Sequence, residues 1–232
     1  MPALAPRNHL LASLAPADLA RWRPHLTPAA LSPGQVLQTP GRTAGDVYFP
    51  ETALLSLQHR SATGAATDVA LVGHDGMVGL TTAMLDNGGP CAAVVCSPGV
   101  AWRLGAREFH AELARGQAVL HLMLRYTQAL TAQMAQTALC ARHHDPAQQL
   151  GRWLLLGLDR LEGQPRGFSA ALVAPLRGLS AGRAQAAMQH LQAAGAITCE
   201  RDEITVLRRD LLEQQVCECH RIIQRENERL LS

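Results

Sequence analysis

Hydrophobic and polar positions fall into three successive patterns along the chain. From Leu31 to about Leu104 the apolar runs are short: Val36-Leu37, Asp46 to Phe49, Ala53 to Leu57, Asp68 to Val72 and Ala92 to Val95. Turn-forming clusters separate them, among them Ser32-Pro33-Gly34, Thr39-Pro40-Gly41, Gly73 to Gly76, Asn87 to Pro90 and Ser97-Pro98-Gly99. Short apolar or alternating runs bounded by Gly and Pro predict strands. Their recurrence about every ten residues predicts a small antiparallel barrel or sandwich.

From about Arg107 to His144 glycine and proline almost vanish, leaving Gly116 alone, and the pattern predicts one long helix. It carries two apolar rows. One runs through Leu120, Met123, Thr127, Leu130, Met134, Thr137 and Ala141, the other through Val119, Leu122, Tyr126, Ala129, Gln133, Gln136 and Cys140. Both step by three and four residues, so each is a seam. Two seams predict two partners: the chain's own barrel, and a second copy in a parallel two-fold dimer contacted through Leu122, Tyr126, Ala129 and Gln133; the alternative is that both rows pack within one chain.

Asp145-Pro146 then places an N-cap residue before a proline at the first helical position, opening a helix to Leu161 with Leu150, Trp153, Leu154 and Leu158 on one face. Ser169 is a candidate N-cap for a short helix toward Arg177. Gly178-Leu179-Ser180 supplies a tight turn, and Ser180 caps a second helix, Ala181 to Ala194, closed by Gly195. Ala196-Ile197-Thr198 and Ile204 to Leu207 form a two-stranded wing. Together these predict a winged helix-turn-helix, in which the N-terminal half of the second helix enters a major groove. The organisation is therefore 1–110, a roll with short N-terminal helices; 111–144, the central helix; and 145–232, the winged domain.

Charge sharpens this picture. All 21 basic side chains are arginine against 19 acids, and the net charge of +2 excludes a globally basic, nucleic-acid-coating protein. Residues 1–110 balance seven arginines against seven acids, whereas Gly163–Thr198 holds Arg166, Arg177 and Arg183 and no acid. The local positive bias coincides with the helix-turn-helix. With 47% apolar and 3% aromatic residues, the core must be built of Leu, Ala and Val. The N-terminal stretch, interrupted by Asp18, arginines and prolines, fits neither a signal nor a membrane span, and six cysteines without a disulfide-framework spacing point to a reduced, cytoplasmic protein.

Leu31-Ser32-Pro33-Gly34, Val47-Tyr48-Phe49-Pro50, Val69 through Gly79, the long helix, Arg152-Trp153-Leu154-Leu155, the helix-turn-helix and Leu211 through Cys219 together resemble the Crp/Fnr family of bacterial transcription regulators over nearly the full chain. The resemblance implies an α+β fold: an N-terminal antiparallel, cyclic-nucleotide-binding-type β-roll of jelly-roll form, a dimerising helix and a C-terminal winged helix-turn-helix. It also implies a non-enzymatic homodimer on a two-fold site of double-stranded DNA, with RNA polymerase as a further partner and no membrane.

Two departures qualify the expectation. The cyclic-AMP members bind ribose with a Gly-Glu pair and phosphate with an Arg-Ser pair, and the matching positions here are Gly76, Met77, Pro90 and Cys91. A phosphate diester buried without an arginine is poorly compensated, so cyclic AMP in the usual pose is not expected. The pocket, with His74, Asp75 and Val78 beside these residues, would take another effector or be purely structural, and a turn reading suffices for His74 and Asp75. At the start of the recognition helix only Arg183 remains, with Gln185 and Gln189 able to reach bases. Gly182 weakens that helix, and Pro175 bends the one before it. Arg177, Arg201 and Arg208 are the candidate phosphate contacts. The alternative is a ligand- or protein-binding dimer of the same fold that has lost specific DNA binding.

No catalytic constellation is present. Iron–sulfur chemistry is excluded by the absence of cysteine before Cys91, and haem would need His74, His110, His121 or Cys91 as its axial ligand, a minor option. Cys217-Glu218-Cys219-His220 is expected to lie on a helix, where alternate cysteines point apart. No metal is expected there, and Cys217 and Cys219 should pack as small hydrophobes.

Overall fold

A computed structural model of the chain describes residues 6–42, 45–62, 64, 66–81, 88–161, 167–169, 173, 179–201 and 203–231. Helices α1 (His9–Ala12) and α2 (Pro16–Trp22) precede seven strands, β1 (Thr27–Leu31), β2 (Val36–Gln38), β3 (Asp46–Pro50), β4 (Leu54–Arg60), β5 (Ala66–Val72), β6 (Cys91–Ser97) and β7 (Gly99–Gly105). They form two antiparallel sheets, ordered β1-β7-β3 and β2-β6-β4-β5. The expected sandwich is there, with two strands that the apolar pattern did not reveal. Strand β1 contains Pro28, and β7 alternates through Trp102 and Arg103; both pair along their full length at the sheet's edge and centre.

The sandwich interior is filled by small and branched side chains, among them Leu31, Leu55, Leu57, Val72, Val78, Val95 and Ala101, all buried. A second cluster, Leu10, Leu11, Trp22, Phe49, Met77 and Phe109, seats the N-terminal helices. Trp22 stands against both Phe49 and Phe109 at ring-centroid distances of 5.8 Å. Such aromatic pairs add about 0.5–1.5 kcal/mol each to their burial, and a second T-shaped pair, Trp153 and Phe168 at 5.5 Å, stands in the C-terminal core.

The helical zone is two helices rather than one: α3 (Ala106–Arg115) and α4 (Gln117–His143). Gly116 between them is extended, at φ −153° and ψ 141°, so the isolated glycine ends the first helix. Helix α5 (Pro146–Arg160) begins as expected. The Asp145 carboxylate accepts from the N–H groups of Ala147 and Gln148, and the Gln148 side chain accepts from the Asp145 N–H, a complete capping box. Then follow β8 (Gly167–Ser169), α6 (Ala181–Ala193), β9 (Ile197–Glu200), β10 (Glu203–Val206), α7 (Arg209–Gln214) and α8 (Cys219–Leu231). Strands β8-β10-β9 make the wing sheet, one strand larger than expected. Ser169 ends β8, and the expected short helix toward Arg177, with Pro175, lies outside the described residues.

The core of the C-terminal region runs without interruption into the roll. Leu150, Trp153, Leu154 and Leu155 of α5 share one buried cluster with Leu191, Ile197, Ile204 and Val206 of the winged part and with Leu54, Leu71 and Cys96 of the roll. Full burial of each such leucine contributes about 1.5–3 kcal/mol. Helix α8 packs along α4.

Candidate nucleic-acid interface and interdomain junction

Helix α6 presents one buried stripe, Ala187 and Leu191, to the core and leaves its N-terminal half open. Ser180, Arg183, Gln185 and Gln189 are all exposed. Ser180 occupies the N-cap with extended backbone, and its hydroxyl makes no capping hydrogen bond. Ser180, Arg183 and Gln185 thus lie accessible at the N-terminal end of α6, and Gln189 lies further along the helix. Arg177 is outside the described residues.

Of the two other phosphate candidates, Arg201 lies in the wing turn where it was expected. Arg201 is exposed in the β9–β10 turn at φ 53°, flanked in sequence by Glu200 and Asp202-Glu203. With Glu200 and Glu203 it lines a groove of about 630 Å³ that opens toward Pro33 and Pro98 of the roll. The positive stretch thus stops before the wing turn, which is acidic. Arg208 is no wing residue: it is the N-cap of α7, and its guanidinium is held bidentately by Asp210 at 2.9 and 2.6 Å.

The central helix also corrects an expectation. Leu122, Tyr126, Ala129 and Gln133, expected to meet a second copy, are buried within the chain itself. Tyr126 donates its hydroxyl to the Met77 carbonyl at 2.6 Å, and burial pushes its phenol well above the ordinary range. Gln133 donates to the Leu71 carbonyl at 3.1 Å. The outward face carries Leu124, Thr131, Ala135, Ala138 and Leu139 instead, with Leu124 52% and Leu139 44% exposed. A row read from period alone does not say which of two seams turns inward.

The residues expected around an effector are part of the packing. Met77 and Val78 are core residues, 1% and 2% exposed, and Val78 bridges to Tyr48. Gly76 lies against the Tyr126 ring, where an added Cβ would stand 2.8 Å from Cε2. Pro90 is exposed, and Cys91 begins β6 opposite His59. Among the described residues the seven do not line a common cavity. His110 and His121 are exposed on α3 and α4.

His74 and Asp75 instead join a junction that ties the roll to both helical parts. Arg160, 3% exposed at the end of α5, places its guanidinium 3.0 Å from the Asp75 carboxylate and donates to the Gln133 side-chain oxygen at 2.7 Å. Asn227 of α8 donates to the same carboxylate at 3.2 Å, and His74 Nδ1 lies 3.0 Å from the Arg160 carbonyl. Gly73 allows the approach: a Cβ there would stand 2.5 Å from the Arg160 Cβ. A polar turn in the sequence is therefore a latch in the fold. Nearby, the buried Asp159 carboxylate accepts from His220 at 2.8 Å and faces Arg209. Burial alone would raise that carboxyl, but these partners outweigh it and hold it below the ordinary range.

A cleft of about 280 Å³ lies between β5, α4 and α5, lined by Asp68, Val69, Met134, Thr137, Arg152 and Trp153. Arg152 is buried and donates to the Thr137 hydroxyl at 3.4 Å, while its Nε and the Trp153 Nε1 have no partner among the described residues. The clearest departure from expectation lies beside it. Cys217 sits in the extended connection between α7 and α8, and Cys219 is the first residue of α8, so the two do not share a helix. Both meet Cys140 of α4 in a buried cluster. The Cys140 and Cys217 sulfurs are 3.6 Å apart, and their hydrogen bond holds the Cys140 thiol down and pushes Cys217 up. Cys140 and His144, four residues apart at the end of one helix, were the available signal for this cluster.

No family model and no curated protein matches the chain. Solved structures do. It is similar to FixK2 from Bradyrhizobium japonicum, with a TM-score of 0.65 at 14% identity over 83% of this chain and 98% of that one. The c-di-GMP-responsive global regulator CLP from Xanthomonas campestris aligns with a TM-score of 0.61 at 14% identity, covering 84% and 100% of the two chains. A Crp/Fnr-family transcriptional regulator from Thermus thermophilus aligns with a TM-score of 0.59 at 16% identity, covering 82% and 97%. At such identities the likeness defines the fold, and the fold is that of the Crp/Fnr transcription regulators. CLP and the Thermus thermophilus protein are described as regulators, and no described helix is long and apolar enough to cross a membrane.

Proposed function

We propose that the protein is a homodimeric, cytoplasmic, DNA-binding transcription regulator that uses Ser180, Arg183, Gln185 and Gln189 on a two-fold site. The observation that carries this reading is the exposed N-terminal half of α6, which leaves Ser180, Arg183 and Gln185 accessible at the end of a helix in a winged fold. Helix N-termini offer unpaired N–H groups to phosphate, and a side chain such as Arg183 grips guanine bidentately. The structural neighbours named as regulators support the same reading. An effector in the cleft between β5, α4 and α5 would contact all three parts at once. It would thereby bias the placement of the winged domain through Thr137–Asp145.

The test is binding to the DNA upstream of the protein's own reading frame across a salt series. Binding is expected to be tighter than to unrelated DNA, and Arg183→Ala is expected to cost about 1–3 kcal/mol while relaxing base preference. Weak, identical affinity for all DNA would overturn the reading in favour of a dimer that binds ligands or proteins. Dimerisation is assigned to the outward face of α4. Ala135→Glu places like charges across the two-fold axis and is expected to shift sedimentation toward the monomer while leaving the far-ultraviolet circular dichroism unchanged.

A further inference from the structure

We propose that Cys140, His144, Cys217 and Cys219 bind one thiophilic divalent metal ion of the zinc class in tetrahedral coordination. The four donor atoms lie within 4.8 Å of one another. Cys140 Sγ is 3.6 Å from Cys217 Sγ, and Cys219 Sγ is 3.5 Å from His144 Nδ1. With metal–sulfur bonds of about 2.3 Å and metal–nitrogen bonds of about 2.0–2.1 Å, the edges of a tetrahedron are about 3.5–3.8 Å. Two pairs already stand at that separation. Three thiolates and one imidazole form a closed set with no open position, so the site is structural rather than catalytic.

The local chain explains the convergence. Cys140 lies in the last turn of α4, and His144 follows as its C-cap with extended backbone (φ −114°, ψ 155°), which turns the ring toward Cys219. Cys217 and Cys219 flank the turn into α8, where the backbone changes direction between them and both side chains meet the same point. The outer shell fits the same assignment. Glu218 Oε1 lies 3.5 Å from His144 Nε2, which orients the ring with Nδ1 inward, and Gln136 Nε2 lies 3.1 Å from the Cys219 sulfur. Carboxylate–histidine–metal relays of this kind hold ligand orientation. On binding, a dication displaces three thiol protons to solvent and leaves a net charge of −1 on the set. The buried Arg152, which makes no ion pair among the described residues, projects its positive field onto Cys140. A disulfide between Cys140 and Cys217 would use only two of these donors and give His144 and Cys219 no task.

Such an ion would fasten the last turn of α4 to the first of α8, clamping the segment between the central helix and the winged part. The proposal does not depend on DNA binding. Full-length protein purified from zinc-supplemented cells under reducing conditions is expected to carry about one zinc per chain by mass spectrometry. After stripping, Co(II) should give the thiolate charge-transfer and visible bands of a tetrahedral site, saturating at one equivalent and bleached by Zn(II). Cys140→Ser and Cys217→Ser are expected to cut bound zinc at least about tenfold, whereas Cys91→Ser and Cys199→Ser retain it. If the serine variants fail to fold, the wild-type thiol count decides. Of the six free cysteines, three should become more reactive when a chelator is added. Reduced wild-type protein that holds no zinc and gives no cobalt bands would overturn the site. So would Cys140→Ser and Cys217→Ser variants that keep a full equivalent, or a Cys140–Cys217 disulfide mapped in the zinc-supplemented preparation.

Discussion

Arg160→Met is expected to lower unfolding stability by about 3–5 kcal/mol, because breaking a buried ion pair strands the partner charge. Arg160 is 3% exposed and holds Asp75 at 3.0 Å and the Gln133 oxygen at 2.7 Å. Methionine keeps much of the aliphatic volume, so the loss reports the polar contacts and not a cavity. For a chain of this size the change corresponds to a fall in Tm of about 6–20 °C. Urea unfolding checks it, and Asp75→Asn provides the control. If Asp75 and Arg160 act as a pair, the double variant should cost less than the sum of the two single ones. Strict additivity would mean that the latch is held by packing alone. Limited proteolysis should show α8 released in Arg160→Met, since Asn227 shares the stranded carboxylate.

Gly73→Val is expected to cost about 1–3 kcal/mol through overpacking, with no contribution from backbone strain. Gly73 does not adopt a left-handed conformation, so a side chain is tolerated by its own backbone. What forbids one is the neighbour: the Cβ would stand 2.5 Å from the Arg160 Cβ and 2.7 Å from the Arg160 carbonyl oxygen. The carbonyl belongs to the end of α5 and cannot rotate aside as a side chain does. Gly34 is the opposite case, with φ 78° and nothing near its Cβ position. Gly34→Ala is therefore strained only by its own conformation and should leave the interdomain junction intact. Thermal melts of the two variants, together with α8 protection in hydrogen exchange, separate the two roles of glycine.

Elements with a strong local signature are legible in the amino-acid sequence. The Asp145-Pro146 helix start, the α6 pattern closed by Gly195 with the wing after it, and the strands around Leu55, Val72 and Val95 follow from period and capping chemistry. So does the exposure of Ser180, Arg183, Gln185 and Gln189, polar residues that lie off the buried Ala187 and Leu191 stripe. Strand β1 is hidden by Pro28, which an edge strand tolerates, and Gly116 breaks a helix that the apolar rows alone would continue.

What the sequence by itself determined is therefore the order of the main elements and the boundaries that carry strong capping or turn signals. These depend on interactions between residues a few positions apart. The tertiary structure alone decided which seam of α4 turns inward and that Gly73-His74-Asp75-Gly76 is a latch against Arg160. It alone also brought Cys140 and His144 to Cys217 and Cys219, residues more than seventy positions apart. Period specifies a face but not its partner, and a ligand set assembled from two ends of a chain exists only once packing has joined them.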